Sequence, residues 1–269
     1  MGNPVKILVL TVMLLPGFAG QSSALTLDAE LYMDVKVVSA YVWRGEVFND
    51  EAVIQPSVTF VASDWSLNVW GTWDLTDTTN SSARTRMDIL LDYAFHRGVH
   101  VLKPGIIAYV YHDATYGPKD DTFEVFLEYA IDVPGLPSLT LNYDFGEIEG
   151  FYASLATRYE YELVKDRMDM SLRADVGAAD KDYANAKFSF PKDASSNGDP
   201  EEFDFRPDQA SLIDFTVSAG FPVRLGKHWS ITPSVKYMTL LDSDIKDASR
   251  DAGYDTEETA FALTLSAGF

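Results

Sequence analysis

The chain has 269 residues, of which 46% are apolar and 13% aromatic, with a mean hydropathy of -0.07. Its 41 acidic residues against 21 basic ones give a formal net charge of -20, which argues against nucleic acid as a partner, because phosphate binding needs basic patches. It has no cysteine, so disulfide scaffolds, thiolate zinc sites and a cysteine-borne lipid anchor are excluded.

The first element is a leader. Lys6 gives a small positive region, Ile7 to Leu15 a short apolar core, Pro16 and Gly17 a break, and Ser22, Ser23 and Ala24 small residues. This form predicts a secretory signal peptide over residues 1–24, cut after Ala24, with residues 25–269 as one exported domain. A membrane-anchoring helix is the alternative, but the apolar run is well short of the ~20 residues such a helix needs.

From Leu31 onward the apolar period is two, not 3.6. Leu31, Met33, Val35 and Val37 alternate with Asp34, Lys36 and Val38. Met87, Ile89, Leu91 and Tyr93 alternate with Arg86, Asp88, Leu90 and Asp92. Phe123, Val125, Leu127 and Tyr129 alternate with Glu124, Phe126 and Glu128. Met168, Met170, Leu172 and Ala174 alternate with Asp169, Ser171, Arg173 and Asp175. About twelve strands are predicted, at 31–43, 53–62, 65–74, 85–96, 101–112, 122–131, 138–146, 150–161, 168–178, 211–221, 229–240 and 258–269. Each is close to the ~10 residues of a tilted membrane strand. Lys103-Pro104-Gly105 disturbs the parity of the fifth, and bulges or frayed ends are expected at Pro56 and Pro233.

The connections alternate short and long. Ser63-Asp64, Arg97-Gly98, Val133-Pro137, Leu163-Arg167 and Pro222-Lys227 are short. Arg44-Ala52, Leu75-Ala83, Asp113-Asp121, Ala179-Ala210 and Leu241-Glu257 are longer, and Glu147-Glu149 is the exception. Short periplasmic turns and long external loops mark transmembrane barrels. Aromatics at strand ends match the two interfacial girdles: Tyr41, Trp43, Trp73, Tyr143 and Phe145 outside, Trp65, Phe95, Tyr129 and Trp229 on the periplasmic side. The fold class is therefore all-β, a transmembrane antiparallel up-and-down β-barrel in a bacterial outer membrane; a soluble β-sandwich is the alternative.

Lys36, Arg86, Asp88, Asp92, Glu124, Glu128, Arg158, Asp169, Arg173, Asp175, Asp214 and Lys236 lie opposite the apolar faces, as do Asp34 and Glu160. Facing lipid, a basic residue would cost about 2–4 kcal/mol, an acidic one somewhat less. They are therefore expected to point inward and line a pore. Acids exceed bases among them, which predicts a weak cation preference. A salt-bridge network filling a narrow barrel is an equal alternative. Arg44 is expected at the outer mouth, either ordering solutes or paired with a loop carboxylate.

Val38-Ser39-Ala40-Tyr41-Val42-Trp43-Arg44-Gly45 resembles the opening of the TorF-family porins, where a first strand ends in Ser-x-Tyr-x-x-Arg-Gly, and Gln55 fits the same likeness. The resemblance implies a diffusion pore of unassigned substrate. Leu263-Thr264-Leu265-Ser266-Ala267-Gly268-Phe269 is similar to the C-terminal signal of outer-membrane barrels, ending in Phe269, which the barrel-assembly machinery reads.

The expected function is a porin-like channel for passive diffusion of small hydrophilic solutes, with the Ala179-Ala210 loop folding in as a constriction. Its partners would be outer-membrane lipids and the assembly machinery. The pattern allows a homo-oligomer, since a subunit interface and a lipid-facing surface look alike. One alternative is a non-conducting scaffold barrel, closed by inward rings such as Trp70, Phe126 and Tyr152. Another is a lipid hydrolase, but no triad is assembled from His228-Trp229-Ser230, His112, or Ser195, Ser196 and Asn197. No enzyme, cofactor or metal is expected. Asp242-Ser243-Asp244 begins like a calcium loop but lacks the rest of the spacing, so solvated, repelling acidic loops are preferred.

Overall fold

The computed structural model describes residues 29–76, 85–112, 121–191 and 203–269. The leader, the loop residues 77–84 and 113–120, and residues 192–202 with Ser195, Ser196, Asn197, Asp199, Glu201 and Glu202 lie outside them.

Twelve long strands pair antiparallel with their sequence neighbours. They are β1 (Ala29–Val38), β2 (Val53–Ala62), β3 (Trp65–Asp74), β4 (Thr85–Tyr93), β5 (His100–His112) and β6 (Thr122–Ile131), followed by β7 (Ser138–Asp144), β8 (Phe151–Val164), β9 (Met168–Ala179), β10 (Ser211–Gly220), β11 (Trp229–Leu240) and β12 (Glu257–Gly268). Two short pieces, Phe95–Arg97 and Val223–Arg224, extend the sheet at its turns. The cylinder closes where β1 meets β12, with Met33 opposite Ala267 and Val37 opposite Leu263. Closure removes both free edges, the condition for a sheet to cross hydrocarbon with every backbone group paired.

Period-two patterning decides which side chains see lipid. On β1, β4 and β12, Val35, Val37, Met87, Ile89, Leu91, Phe261 and Leu263 are exposed on the outside. Their sequence neighbours point inward. Trp65, Phe95, Tyr129 and Trp229 ring the end where β1 starts and β12 finishes (the terminal end), and Trp73, Phe145 and Phe151 ring the loop end. At the terminal end Leu31 and Phe269 exchange backbone hydrogen bonds of 3.0 and 2.9 Å, and the Phe269 ring stacks on His228.

Neither Pro56 nor Pro233 makes a bulge. Beside Pro56 the β2–β3 ladder skips from Ile54–Trp73 to Ser57–Trp70 with the register unchanged, so the missing donor opens a gap only. Pro104 does the same to the β4–β5 ladder, between Asp92–Gly105 and Phe95–Leu102. Pro233 stays paired with Leu263, and its carbonyl accepts from Phe221 N (3.0 Å) just past the end of β10. A residue's N–H and C=O point to the same antiparallel neighbour. The absent donor therefore falls where that ladder already stops.

The first strand departs from expectation. It ends at Val38, and residues 41–49 form a separate hairpin, Tyr41–Trp43 against Glu46–Asn49. Tyr41 and Trp43, expected in the outer girdle, fold into the barrel instead, and Tyr41 is buried. Two helices were also not expected. α1 (Lys181–Phe188) is capped by Asp180, whose carboxylate accepts from Tyr183 N at 2.8 Å. α2 (Ser243–Asp251) is capped by Asp242, which accepts from the amides of Asp244 and Ile245. The Asp242-Ser243-Asp244 segment is thus a helix start, not the opening of a calcium loop.

Both clusters of buried apolar residues sit in the loop half of the lumen. One joins α1, through Tyr183, Ala184 and Phe188, to Tyr152, Ile213, Leu240 and Ile245 of α2. The other packs the hairpin, through Tyr41 and Phe48, onto Val38, Val53 and Ala260.

Candidate functional site: a charged lumen cavity under a folded-in cap

The hairpin turns on two residues, Arg44 and Gly45, with φ of 48° and 82°. Two positive φ values in a two-residue loop define a type I′ turn, whose twist suits a tight hairpin. Glycine serves a second purpose here: a Cβ at Gly45 would lie 2.9 Å from Leu240 Cδ2 and 3.0 Å from Ile213 Cγ2. The tip is pressed against the inner wall of β10 and β11, and this drives Arg44 across the lumen.

Arg44 reaches β6. Its Nη1 and Nη2 donate to Glu124 Oε1 and Oε2 at 2.6 and 2.8 Å, and Nη1 also donates to Tyr183 Oη of α1 at 3.1 Å. Tyr109 Oη donates to the same carboxylate at 2.9 Å. The guanidinium lies 4.4 Å from the Trp43 ring and 4.5 Å from the Tyr152 ring. Burial works against its charge, but the Tyr183 and Tyr109 hydroxyls and the Glu124 carboxylate outweigh it and hold Arg44 well above its ordinary pKa. Burial likewise raises the Tyr183 phenol, with Arg44 pulling the other way. Lys187 of α1 adds an ion pair to Glu46 of the hairpin at 3.2 Å. The hairpin, α1 and the strand wall are therefore cross-linked by charge and aromatic faces into one cap.

A second arginine forms the underside of the cap. Arg86 donates from Nε and Nη2 to Asp88 Oδ1 and Oδ2, both at 2.7 Å, and lies 4.3 Å from the Trp43 ring and 4.8 Å from the Tyr109 ring. Its Nη1 has no hydrogen-bond partner among the described residues, and neither has the buried Tyr41 hydroxyl.

Beneath the cap is a cavity of about 820 Å³. Its lining runs from Tyr41, Trp43 and Arg86 at the cap down to Pro222 and Ser266 near the terminal end. Of the residues expected to line a pore, Lys36, Arg86, Asp88, Arg158, Arg173 and Lys236 border it. Asp175 is paired with Arg173 (Arg173 Nε to Oδ2, 2.9 Å), Glu128 with Lys103 (2.7 Å), and Asp169 with Arg224 near the terminal end. Asp92 lies on the same inward face of β4 as Asp88, half-buried.

Arg44, Glu124 and Asp214 differ from expectation. Arg44 is not at an open rim, and its carboxylate is on a strand, not a loop. Glu124 and Asp214 are buried in the cap, Asp214 accepting from Tyr152 Oη at 2.9 Å. Tyr41, Trp43, Tyr109 and Tyr183 were not foreseen as site residues. The Ser-x-Tyr-x-Trp-Arg-Gly string was the signal that could have found the first two, because it loads a tight turn with one cation and two rings. The His112 side chain lies outside the described residues. His228 sits at the terminal end, its Nδ1 2.8 Å from the Gly268 carbonyl oxygen.

Solved barrels share this architecture. The NanC porin aligns with a TM-score of 0.52 at 11% identity, over 87% of this chain and 98% of that one. The KdgM porin aligns with a TM-score of 0.50 at 12% identity, over 88% and 99%. At such identities the likeness is one of fold. No curated protein matches the sequence. The family model described as a bacterial protein of unknown function, Gcw_chp, matches residues 19–194, and the chain belongs to that family.

Proposed function

We propose that the chain is a channel of the bacterial outer membrane for passive diffusion of small hydrophilic solutes, with its loop-side mouth closed by the folded-in hairpin. The observation that carries this reading is a closed barrel, apolar outside, enclosing a charged cavity that ends under a cap. Polar walls lower the barrier for hydrated solutes, and the hairpin is packed and ion-paired onto the wall as a separate sheet, so displacing it leaves the strand ladder of the barrel unbroken.

The same reading takes residues 1–24 as a cleaved export leader and Phe269 as the end of the signal read by the assembly machinery. It places the pore among TorF-type porins on the Ser39–Gly45 string, and its partners are outer-membrane lipids and the permeating solute. The apolar exterior also allows association of copies. Burial and ion pairing weigh against the weak cation preference expected from the inward acids. Glu124 and Asp214 are sequestered, and Asp88, Glu128 and Asp175 are ion-paired.

A second reading, a non-conducting scaffold barrel, is favoured by one observation: Trp70, Tyr152 and the hairpin fill the loop half of the lumen. A lipid hydrolase is not favoured, because His228 is engaged at the end away from the loops. Reconstitution in planar bilayers tests these readings. Discrete conductance steps from the full-length protein support the channel. A silent protein, including after the cap is loosened by Arg44→Ala, supports the scaffold.

A further inference from the structure

We propose that the cavity under the cap is a binding site for a small hydrophilic anion bearing carboxylate or phosphate oxygens. The proposal deepens the channel reading by naming the class of solute.

The first argument is a reversal of charge. The chain as a whole carries -20. The charged residues bordering the cavity are Lys36, Arg86, Arg158, Arg173 and Lys236 against Asp88 and Glu160. Pairing does not cancel this excess. Asp88 is held by Arg86, Arg173 has Asp175, and Arg158 approaches Glu160 only to 3.9 Å. Lys36 and Lys236 make no ion pair among the described residues. They flank β12, opposite Thr264 and Ala260, whose small side chains leave room for them.

The second argument is the arrangement of the bases. Arg158 lies directly opposite Arg173, Arg173 opposite Ser218, and Ser218 opposite Lys236. Like charges directly opposite on a sheet repel. Three bases on one rung across four strands therefore form a belt whose repulsion a bound anion would relieve.

The third argument is size. The volume of about 820 Å³ lies within the range of small-molecule sites, ~300–1,000 Å³.

The test is equilibrium titration of the detergent-purified full chain, read by intrinsic tryptophan fluorescence, since Trp43 and Trp70 border the cavity. The probes are citrate, inorganic phosphate, sucrose and putrescine at constant ionic strength. A saturable change with citrate, phosphate or both is expected, and which of them acts separates a carboxylate from a phosphate ligand. Lys36→Gln with Lys236→Gln should weaken binding at least about tenfold, as loss of charge-assisted hydrogen bonds implies. Lys36→Arg with Lys236→Arg, which keeps both charges, should retain it and shows that substitution there leaves the barrel intact. No saturable response to either anion, an equal response to sucrose or putrescine, or an unchanged affinity in the Gln variant overturns the proposal. Binding without conductance would overturn the channel and keep the site, whereas conductance without anion binding would do the reverse.

Discussion

Arg44, at the tip of a turn in the first long loop, grips both oxygens of Glu124 on the far wall of the barrel, at 2.6 and 2.8 Å. The pair is almost fully buried, with side-chain exposures of 9% and 2%. It joins residues 80 positions apart and ties the hairpin to a strand that the hairpin does not otherwise pair with.

Removing one partner of this pair leaves the other as an uncompensated buried charge, a loss of about 3–5 kcal/mol at such sites. Arg44→Ala should therefore lower the urea midpoint of the reconstituted barrel and raise the frequency and size of conductance steps. Glu124→Gln should do the same to a smaller extent, because the amide still accepts one hydrogen bond. Steps unchanged from the parent protein would mean that the hairpin does not close the pore.

The orientation of the wall is testable by placing a charge on each of two adjacent residues near the middle of β2. Val58 points outward and Ser57 inward, where its hydroxyl lies 3.4 Å from Asp34 Oδ2. Val58→Arg should destabilise the barrel in lipid vesicles by about 2–4 kcal/mol, the penalty for arginine near the bilayer midplane. Ser57→Lys should be close to neutral, since the lumen is polar and Asp34 is at hand. Equal losses in urea unfolding would contradict the inside–outside assignment.

Gly177 sits where no side chain fits. A Cβ there would come within 2.2 Å of both Asp214 Oδ1 and the Tyr152 hydroxyl. Gly177→Val should break that hydrogen bond, displace Tyr152 from the cap and lose about 1–3 kcal/mol by overpacking. Gly220→Ala, whose new methyl would meet its nearest neighbour at 3.5 Å, is the control and should unfold like the parent.

Phe269 helps to close the barrel. Its backbone bonds to Leu31, and its ring packs on His228 and Trp229 at centroid distances of 5.4 and 6.5 Å. Phe269→Ala should reduce the fraction recovered in outer membranes, measured by heat-modifiable migration. If the purified variant refolds in detergent at the parent's yield, the defect lies in recognition by the assembly machinery; if it does not, the seam itself is weakened.

The strands were legible because their information is local. Residues 53–62, 65–74, 122–131 and 229–240 are strands as predicted, since alternation shows in any short window and lipid on one side with water on the other enforces it. The first strand ends at Val38 and not at residue 43, because the alternation resumes at Tyr41 after Ser39 and the one local mark of the inward fold is the Arg44-Gly45 turn that follows. α1 and α2, at 8 and 9 residues, are too short to display a helical period against an acidic background.

The sequence by itself determined a closed cylinder, its two faces and its two ends, because a period of two and the hydrocarbon leave one arrangement of side chains. Which inward charges face water and which are locked together was decided only by the tertiary structure. Arg44 meets Glu124, and Lys36 faces the cavity with Lys236, only after the first strands have closed against the last. Coulomb energy depends on distance in space and on local burial, and neither is written in residue order.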